Sequence, residues 1–386
     1  MQIAVNTRFL MPGKLEGFGV YTDELLKRMA IENPSDTFTF YFDRKFDTCY
    51  HYSDNVTLRS IFPPARHPVL FYIWFQMRLK QKLLATKPDV FFSPDSFMPL
   101  GMHIPSVITI HDVAYMRFSD YIGKSHLAYY QRYMPKFVAE AAHIITVSEF
   151  SKKEICHFYE VDPGRVTVIY NGVSPRFKPV DLVTRQQIQN QYSDGKPYFL
   201  YVGAIHPRKN IARLIEAFDK YKQKSKSNMQ LLIVGRHSWH FDDVIDAHKQ
   251  AKYSQDIRMI GYVGFEKLPD IVGSAHALTY VSLYEGFGLP VIEAMACGVP
   301  VITSSARSTG AVMAEVAGDA AITVDPESVE DIAEAMHRVS EDVSLHDQLC
   351  KAGIDQARQY SWDISASKTY GILKNVSQLA LEAFVQ

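Results

Sequence analysis

Residues 285–300 read Glu285-Gly286-Phe287-Gly288-Leu289-Pro290-Val291-Ile292-Glu293-Ala294-Met295-Ala296-Cys297-Gly298-Val299-Pro300. They follow the apolar run Ala277–Val281, which predicts a buried strand. Pro290 suits the first turn of a helix and Gly298 suits the residue after its end, so a short helix is predicted between them. The stretch therefore predicts a strand, a glycine-containing loop and a helix in succession.

The same alternation of strand and helix runs along the whole chain. Before residue 172 the predicted strands are Ile3–Asn6, Thr37–Phe42, Asp89–Phe92, Ser106–Ile110, His143–Val147 and Val166–Ile169. After residue 180 they are Tyr198–Val202, Gln230–Val234, Ile257–Ile260, Ala277–Val281, Pro300–Thr303 and Ala320–Val324. Helical patterns between them include Val20–Met29, His126–Glu140, Ser148–Phe158, Ile211–Tyr221, Asp242–Ala251, Pro290–Cys297 and Val329–Val339. Such alternation is typical of doubly wound parallel sheets.

A turn-rich segment separates the two series of strands. Asn171–Pro179 contains two prolines and a glycine, which is typical of a connection between domains. We therefore expect two Rossmann-like α/β domains, residues 1–175 and 176–361. Because ligands of such sheets bind beyond the carboxyl ends of the strands, a cleft between the two domains is the expected site.

The composition excludes several classes of protein. The chain has 386 residues, with 41 Lys+Arg against 42 Asp+Glu and a net charge of −1. A nearly neutral chain has no overall electrostatic attraction to nucleic acid, so no nucleic-acid partner is expected. The four cysteines match no zinc-binding spacing and are too few for a disulfide framework. The oligomeric state stays open.

Membrane insertion is not predicted. The first eight residues lack the basic start and apolar core of a signal peptide, and no run of about 18 apolar residues occurs. We therefore expect a cytoplasmic protein. The apolar segment Val69–Leu84 is interrupted by polar and basic residues and predicts an amphipathic helix. Such a helix packs on a sheet or, alternatively, lies on the inner face of the cytoplasmic membrane.

Two cations stand ahead of a predicted helix in the segment 203–210. Arg208 and Lys209 precede the helix Ile211–Tyr221, for which Asn210 suits the N-cap position. Cations at this place oppose the helix dipole, which indicates a bound anion such as a diphosphate. The alternative is that both side chains simply point into solvent.

Other candidate residues lie at strand ends and in loops. Glu285 and Glu293 would be a general acid–base pair, acceptors for sugar hydroxyls, or merely solvated carboxylates. His111, followed by Asp112, ends a strand and would bind a ligand or be structural. Gly17 and Gly19 would let a phosphate approach a helix N-terminus or form a plain turn. They match neither the dinucleotide fingerprint nor a Walker loop.

The chain resembles the family 4 retaining glycosyltransferases in two motifs above all. These are Pro207-Arg208-Lys209-Asn210 and the stretch that carries Glu285 and Glu293; weaker support comes from Val147–Ser151, Tyr170–Val173 and Tyr360–Trp362. The resemblance implies the GT-B architecture of two Rossmann-like domains. In that architecture the carboxyl-terminal helix, here residues 362–386, crosses back onto the first domain. The nucleotide sugar then binds mainly the second domain and the acceptor mainly the first.

Roles for individual residues follow from this resemblance alone. Lys209 and Arg208 would hold the diphosphate, and Glu293 would accept from the ribose hydroxyls. Glu285 would hold the donor sugar together with the backbone of Gly286, Phe287, Gly288 and Leu289. His111 would contact the reacting sugar, and Gly17 and Gly19 would contact the phosphates. Val263 would contact the base. The expected catalytic residues are His111, Lys209 and Glu285.

One position departs from the family pattern. Many relatives carry Gly-Arg where this chain has Gly203-Ala204, so Arg208 is expected to supply the missing phosphate contact. No two Asp residues stand two apart, so the Asp-x-Asp motif of metal-dependent transferases is missing. We therefore expect a reaction without metal or cofactor, in which cations stabilise the leaving diphosphate.

The resemblance implies a retaining hexosyltransferase of surface polysaccharide assembly, such as lipopolysaccharide. The favoured donor is GDP-mannose, with UDP-glucose or another hexose donor as the alternative. The acceptor is expected to be a saccharide or a lipid-linked saccharide. Three competing interpretations are a nucleotide-sugar 2-epimerase, a non-catalytic nucleotide-sugar-binding protein and a two-lobed solute-binding protein.

Overall fold

The computed structural model describes residues 1–13, 15, 17–236, 242–305 and 311–385. Its contacts divide the chain into unit 1, which comprises Met1–Gly172 and Ser361–Gln386, and unit 2, which comprises Val173–Tyr360. The first division lies inside the turn-rich segment Asn171–Pro179.

Unit 1 contains a seven-stranded sheet in which every pair of neighbouring strands is parallel. Its strands are β1 (Gln2–Asn6), β2 (Thr37–Phe42), β3 (Val56–Ser60), β4 (Val90–Ser93), β5 (Ser106–Thr109), β6 (His143–Thr146) and β7 (Val166–Val168). Their order in the sheet is β3-β2-β1-β4-β5-β6-β7, so the direction of winding reverses between β1 and β4. The six strands predicted for this half are confirmed. The edge strand β3 was not predicted, because its short polar sequence is largely exposed.

The helices of unit 1 lie in the connections between the strands of this sheet. They are α1 (Gly17–Glu32), α2 (Pro68–Tyr72), a π-helical segment (Ile73–Leu79), α3 (Lys80–Thr86), α4 (Ala114–Arg117), α5 (Lys124–Glu140) and α6 (Glu149–Tyr159). The single amphipathic helix predicted over Val69–Leu84 is therefore three consecutive helical segments. Trp74 and Phe75, in the π-helical segment, are both fully buried.

Unit 2 repeats the design with six parallel strands. They are β8 (Tyr198–Val202), β9 (Gln230–Val234), β10 (Ile257–Gly261), β11 (Ala277–Tyr280), β12 (Val301–Ser304) and β13 (Ile322–Val324). The order β10-β9-β8-β11-β12-β13 reverses between β8 and β11. All six predicted strands are confirmed. β8, β9, β11 and β12 are largely apolar runs buried in the sheet, whereas the edge strands β10 and β13 are partly exposed.

The helices of unit 2 are α7 (Leu182–Ser193), α8 (Ile211–Ser225), α9 (Asp242–Gln250), α10 (Leu268–Gly273), α11 (Leu289–Ala296), α12 (Ala311–Ala317), α13 (Val329–Glu341) and α14 (Val343–Ala357). The helix predicted over Pro290–Cys297 is thus shifted by one residue. Gly298 follows its end with a φ of +68°, as a residue at the end of a helix should.

The last helix, α15 (Trp362–Val385), belongs to unit 1. Its first residue, Trp362, is 2% exposed. Ser365 donates to the carbonyl of Tyr170 at 2.6 Å, and Tyr370 donates to Asp36 at 2.6 Å. The chain therefore completes unit 1 only after it has built unit 2. Among the described residues, no helix combines the length and apolar character needed to span a bilayer.

Candidate functional site

The two motifs of the sequence meet at one edge of unit 2. β8 and β11 are neighbours at the point where the winding of the sheet reverses. The chain leaving β8 passes through a short 3₁₀ turn, Pro207–Lys209, and the chain leaving β11 leads to α11. The Leu283 N–H donates to the Arg208 carbonyl at 2.8 Å and joins the two segments. Crevices at such reversals are where open α/β sheets bind ligands.

A buried carboxylate lies between the two cations at this edge. Glu285 is 6% exposed and forms ion pairs with Lys209 Nζ and with Arg208 Nη1, the latter at 3.0 Å. The Tyr280 hydroxyl donates to Glu285 Oε1 at 2.8 Å and accepts from Lys209 Nζ at 3.0 Å. Arg208 also donates to the Tyr284 carbonyl at 2.8 Å. Lys209 is buried, so the alternative of two solvated cations is wrong for it.

The charges of this cluster settle the protonation of its members. Burial by itself would raise the pKa of Glu285, but Lys209 and Arg208 outweigh it and lower that pKa to about 2. Burial and the neighbouring Glu285 charge hold the pKa of Tyr280 well above its ordinary value. At neutral pH the cluster therefore contains two cations, one carboxylate and a neutral phenol.

Glu293 lies in a different environment, in the first half of α11. Burial raises its pKa to about 8, so the carboxyl group is mostly protonated at neutral pH. Its side chain makes no hydrogen bond or ion pair with any residue in the described part of the chain. A protonated carboxyl group both donates and accepts hydrogen bonds, which suits it to vicinal hydroxyl groups.

The loop between Glu285 and α11 contains a glycine in the left-handed region of backbone conformation. Gly288 has a φ of +95°, a conformation that residues with a side chain rarely adopt. The buried Phe287 ring contacts Tyr360 at 5.6 Å between ring centres. α11 begins at Leu289, so the backbone of Gly286–Leu289 leads directly into its N-terminus. Val263, predicted to contact the base, is half-buried in the segment after β10.

Asn210 does not have the predicted capping role. Its φ of +63° is left-handed, and its side chain makes no hydrogen bond to the first turn of α8. Its amide instead donates to the carbonyls of Val281 and Pro326, at 3.0 and 2.6 Å. Asn210 therefore stands at the predicted N-cap position of α8, but its side chain does not cap the helix because it binds carbonyls that follow β11 and β13.

The remaining predicted site residues lie in unit 1. His111 follows β5, and its Nε2 donates to the Pro94 carbonyl at 2.9 Å. Burial lowers the pKa of His111, which keeps the ring neutral and leaves Nδ1 as an acceptor. The ring packs edge-on against Phe18 and Tyr21, at 4.7 and 4.6 Å between ring centres. The contact of His111 with a donor sugar stays a prediction.

Gly17 and Gly19 lie in the first turn of α1. A side chain at Gly19 would place its Cβ 2.9 Å from the Phe9 carbonyl oxygen, whereas Gly17 has open space around it. A larger residue at position 19 would therefore collide with the backbone, which is a packing reason for glycine there. The approach of a phosphate to these residues stays a prediction.

Some residues of interest were missed by the sequence analysis. Tyr280 could not be distinguished from other apolar strand residues, and its ring stacks on Tyr201 at 5.8 Å. Arg8 and Asp95 form a buried ion pair at the carboxyl ends of β1 and β4. A charged residue directly after a buried strand is the signal that could have found them. Within the described residues, no group of three or more His, Cys, Asp or Glu side chains is arranged to hold a metal ion.

Comparison with known proteins identifies the family. The model for Glycosyltransferase Family 4 matches residues 16–177, and the model for Glycosyl transferases group 1 matches residues 183–356. The O-antigen chain mannosyltransferase B of Escherichia coli is 28% identical over 371 residues, which cover 93% of this chain and 96% of the relative.

Two further proteins are similar over much of the chain. An uncharacterized glycosyltransferase of Methanocaldococcus jannaschii is 30% identical, with 70% of this chain and 69% of the relative covered. A sucrose-phosphate synthase from Thermosynechococcus elongatus shares the fold, with a TM-score of 0.76, 18% identity and coverage of 97% of this chain and 98% of that one. The chain thus belongs to the glycosyltransferases, with a family 4 region in unit 1 and a group 1 region in unit 2.

Proposed function

We propose that this glycosyltransferase moves mannose from GDP-mannose to a saccharide or lipid-linked saccharide, with retention of configuration, in the assembly of a surface polysaccharide such as lipopolysaccharide. The observation that carries the proposal is the buried cluster of Arg208, Lys209 and Glu285 at the strand reversal of unit 2. The similarity to the O-antigen chain mannosyltransferase B of Escherichia coli supports mannose as the sugar.

The cluster suits a nucleoside diphosphate. Glu285 holds Arg208 and Lys209 side by side at the strand reversal, so two cations are already in place where a diphosphate would bind. When the bond from the sugar carbon to the phosphate oxygen breaks, its electron pair goes to the diphosphate. Cations already held in place stabilise that growing charge without having to reorganise. We propose that this takes the place of a divalent metal ion and that no cofactor is needed.

The two glutamates divide the recognition of the donor. Glu293, mostly protonated, binds the ribose hydroxyls as donor and acceptor. Glu285, ionised, accepts from hydroxyls of the sugar, with the backbone of Gly286–Leu289 beside it. Neutral His111 accepts from the donor sugar through Nδ1.

Transfer with retention follows from attack on the face that the diphosphate leaves. The acceptor oxygen bonds to the anomeric carbon as the phosphate bond breaks, through an oxocarbenium-like transition state. The proton of the acceptor hydroxyl passes to the departing diphosphate oxygen. The products are the extended saccharide and GDP.

A surface of unit 1 supports peripheral attachment to the inner face of the cytoplasmic membrane. Val69, Tyr72, Met77 and Leu84 of the α2–α3 region are 45–60% exposed. Residues 61–88 contain five Lys or Arg and no Asp or Glu. Apolar side chains beside basic ones suit an anionic lipid surface. Pelleting with anionic vesicles at low salt, and release at high salt, tests this part.

Donor turnover tests the activity. The protein is incubated with GDP-mannose or UDP-glucose, with octyl α-D-mannopyranoside as acceptor, in the presence of a chelator. We expect GDP release and a new α-linked product, detected by NMR of the anomeric proton. Turnover with UDP-glucose alone would show that UDP-glucose, and not GDP-mannose, is the donor. Turnover that is lost when the chelator is added would refute metal independence. No turnover with any nucleotide sugar would refute transfer.

A further inference from the structure

Unit 1 has an ion pair at its own strand reversal. β1 and β4 are neighbours where the winding of this sheet reverses, as β8 and β11 are in unit 2. Arg8 follows β1 and Asp95 follows β4, and the two side chains are paired through Arg8 Nε. Arg8 is 6% exposed and Asp95 is 5% exposed. A buried charged pair at the place where open α/β sheets bind ligands calls for a chemical reason.

The pair leaves one side of the guanidinium group unused. Asp95 Oδ1 accepts from the Asn6 amide at 2.8 Å, from the Ser93 hydroxyl at 3.0 Å and from the Phe97 N–H at 3.3 Å. Its other oxygen accepts from Arg8 Nε. The nitrogens Nη1 and Nη2 of Arg8 make no hydrogen bond with any described residue, and neither is completely shielded from solvent. Asp95 thus orients the guanidinium group, whose terminal N–H groups are available to a ligand.

Aromatic rings surround this guanidinium group. Its central carbon lies 4.5 Å from the centre of the Phe97 ring and 4.6 Å from that of Phe9. Tyr130 of α5 stacks on Phe97 at 5.9 Å, with an angle of 22° between the rings. Tyr130 is half-buried, and its hydroxyl has no hydrogen-bond partner within the described part of the chain.

A second carboxylate, that of Asp112, lies at the same end of the sheet as Arg8 and Asp95. Asp112, next to His111, accepts from the Ala114 N–H through Oδ1 at 3.0 Å. Oδ2 makes no hydrogen bond with a described residue. The segment that carries Asp112 packs against α5, since the Tyr115 ring lies 5.1 Å from that of Tyr130. Asp112 follows β5, which is the neighbour of β4, so it lies at the same end of the sheet as Asp95. Burial raises the pKa of the Tyr130 phenol, Arg8 lowers it and Asp112 raises it further.

The charges decide which ligand fits. Arg8 is paired with Asp95, and Asp112 is a second carboxylate at the same end of the sheet, so the three side chains sum to 1 − 2 = −1, which disfavours a phosphate. A guanidinium donor, a carboxylate acceptor and a phenol beside aromatic rings match the hydroxyls and apolar face of an uncharged sugar. We propose that Arg8, Asp112 and Tyr130 form a subsite for a neutral sugar ring of the saccharide acceptor. This rests on the proposed function, which assigns the nucleoside diphosphate to unit 2.

Conservative variants test the subsite. Tyr130→Phe removes only the hydroxyl, Asp112→Asn keeps the acceptor for Ala114, and Arg8→Lys keeps the charge but not the planar fork. Binding of octyl α-D-mannopyranoside in the presence of GDP is followed by saturation-transfer NMR, and GDP binding by calorimetry. We expect each variant to weaken mannoside binding by about tenfold or more, with GDP affinity unchanged within about twofold.

Tyr133→Phe is the matched control. Tyr133 lies three residues further along α5 and contacts Tyr129 at 4.6 Å between ring centres. The same loss of a hydroxyl there should leave mannoside binding unchanged.

Three outcomes would overturn the subsite. One is unchanged mannoside binding in both Tyr130→Phe and Asp112→Asn. Another is a wild-type protein that binds GDP but shows no saturation transfer to mannoside, glucoside or galactoside probes. The third is weaker binding of intact GDP-mannose with normal mannoside binding, which would assign these residues to the donor sugar. Failure of the wild type to bind any nucleotide or nucleotide sugar would instead contradict the proposed function.

Discussion

At the scale of single residues, two glutamates eight positions apart acquire opposite properties. Burial by itself would raise the pKa of Glu285, but two cations outweigh it, lower that pKa to about 2 and keep the carboxylate ionised. Glu293 is half-buried and has no charged partner among the residues that the structure describes, and burial raises its pKa to about 8. The difference arises because the Glu285 side chain meets Lys209 and Arg208, whereas the Glu293 side chain is desolvated on α11 with no cation to offset the cost.

Glu293→Gln should make the protein more stable, and increasingly so as pH rises. The folded state holds a proton on Glu293 that the unfolded state releases above its ordinary pKa of 4.5, so stability falls between 4.5 and about 8. Glutamine mimics the protonated form and removes that loss. We expect equal unfolding free energies near pH 4 and a gain of about 1–3 kcal/mol at pH 8, measured by urea denaturation.

Two controls accompany this measurement. Glu266→Gln, at an exposed position of unit 2, should show no such pH dependence. Glu285→Gln should behave oppositely, since a lowered pKa stabilises the folded state above 4.5 and this contribution disappears as pH falls towards about 2. A gain in Glu293→Gln that is the same at pH 4 and pH 8 would contradict the raised pKa.

The two glutamates should also differ in nucleotide binding. Glu293→Gln should weaken GDP and GDP-mannose alike, by about 1–3 kcal/mol, because ribose is common to both. Glu285→Gln should leave GDP affinity equal or tighter, because it frees Arg208 and Lys209 from an internal anion, while turnover falls. Calorimetry with GDP and a turnover assay decide. Equal weakening of GDP binding by both variants would refute the division of roles.

Lys209→Ala should reduce turnover more than it reduces donor binding. The ammonium group strengthens its contact as charge develops on the leaving diphosphate, so its loss is felt mainly in the transition state. We expect kcat to fall by about a hundredfold or more, with a smaller change in GDP-mannose affinity. Lys220→Ala, at a lysine that is 50% exposed, is the control. Normal kcat in Lys209→Ala would remove this residue from the reaction.

At the scale of elements, the loop before α11 depends on a left-handed glycine. Gly288→Ala adds a Cβ that meets Met313 no closer than 3.6 Å, so its cost comes from the φ of +95°. We expect a loss of about 1–2 kcal/mol in unfolding free energy, with weaker GDP-mannose binding as the loop shifts. Gly17→Ala, with open space and no positive φ, should cost nothing. Equal stability of the two variants would show that the loop tolerates the side chain.

At the scale of the whole molecule, unit 1 is completed by the end of the chain. Trp362 begins α15 and packs so closely that a Cβ on Gly172 would lie 2.1 Å from its backbone nitrogen. Trp362→Ala should destabilise unit 1 by about 3–5 kcal/mol while GDP binding by unit 2 persists. Hydrogen exchange of unit 1 peptides and calorimetry with GDP measure the two effects.

Ile364, two residues after Trp362, is the matched control for this substitution. It is 53% exposed on the same helix, so Ile364→Ala should cost well under about 1 kcal/mol. Destabilisation of unit 1 to the same extent by both variants would contradict the burial of Trp362 as the cause.

The alternating pattern of the sequence determined the two parallel sheets and the strand ends that carry Arg208, Lys209, His111 and Glu285. Strand and helix patterns depend on neighbouring residues, so they can be recognised without the fold. The edge strand β3 was missed because its sequence is short, polar and largely exposed. Ile73–Leu79 was predicted to be helical, but its π-helical form was not.

Only the tertiary structure decided how the charged residues are partnered. Lys209 and Glu285 are 76 residues apart, and Arg8 and Asp95 are 87 apart, so no local pattern links them. The sequence alone placed Asn210 at a helix cap, whereas the fold uses it to connect the ends of strands. Protonation, ion pairing and burial depend on groups that distant strands bring together, because charge and solvent exclusion act through space and not along the chain.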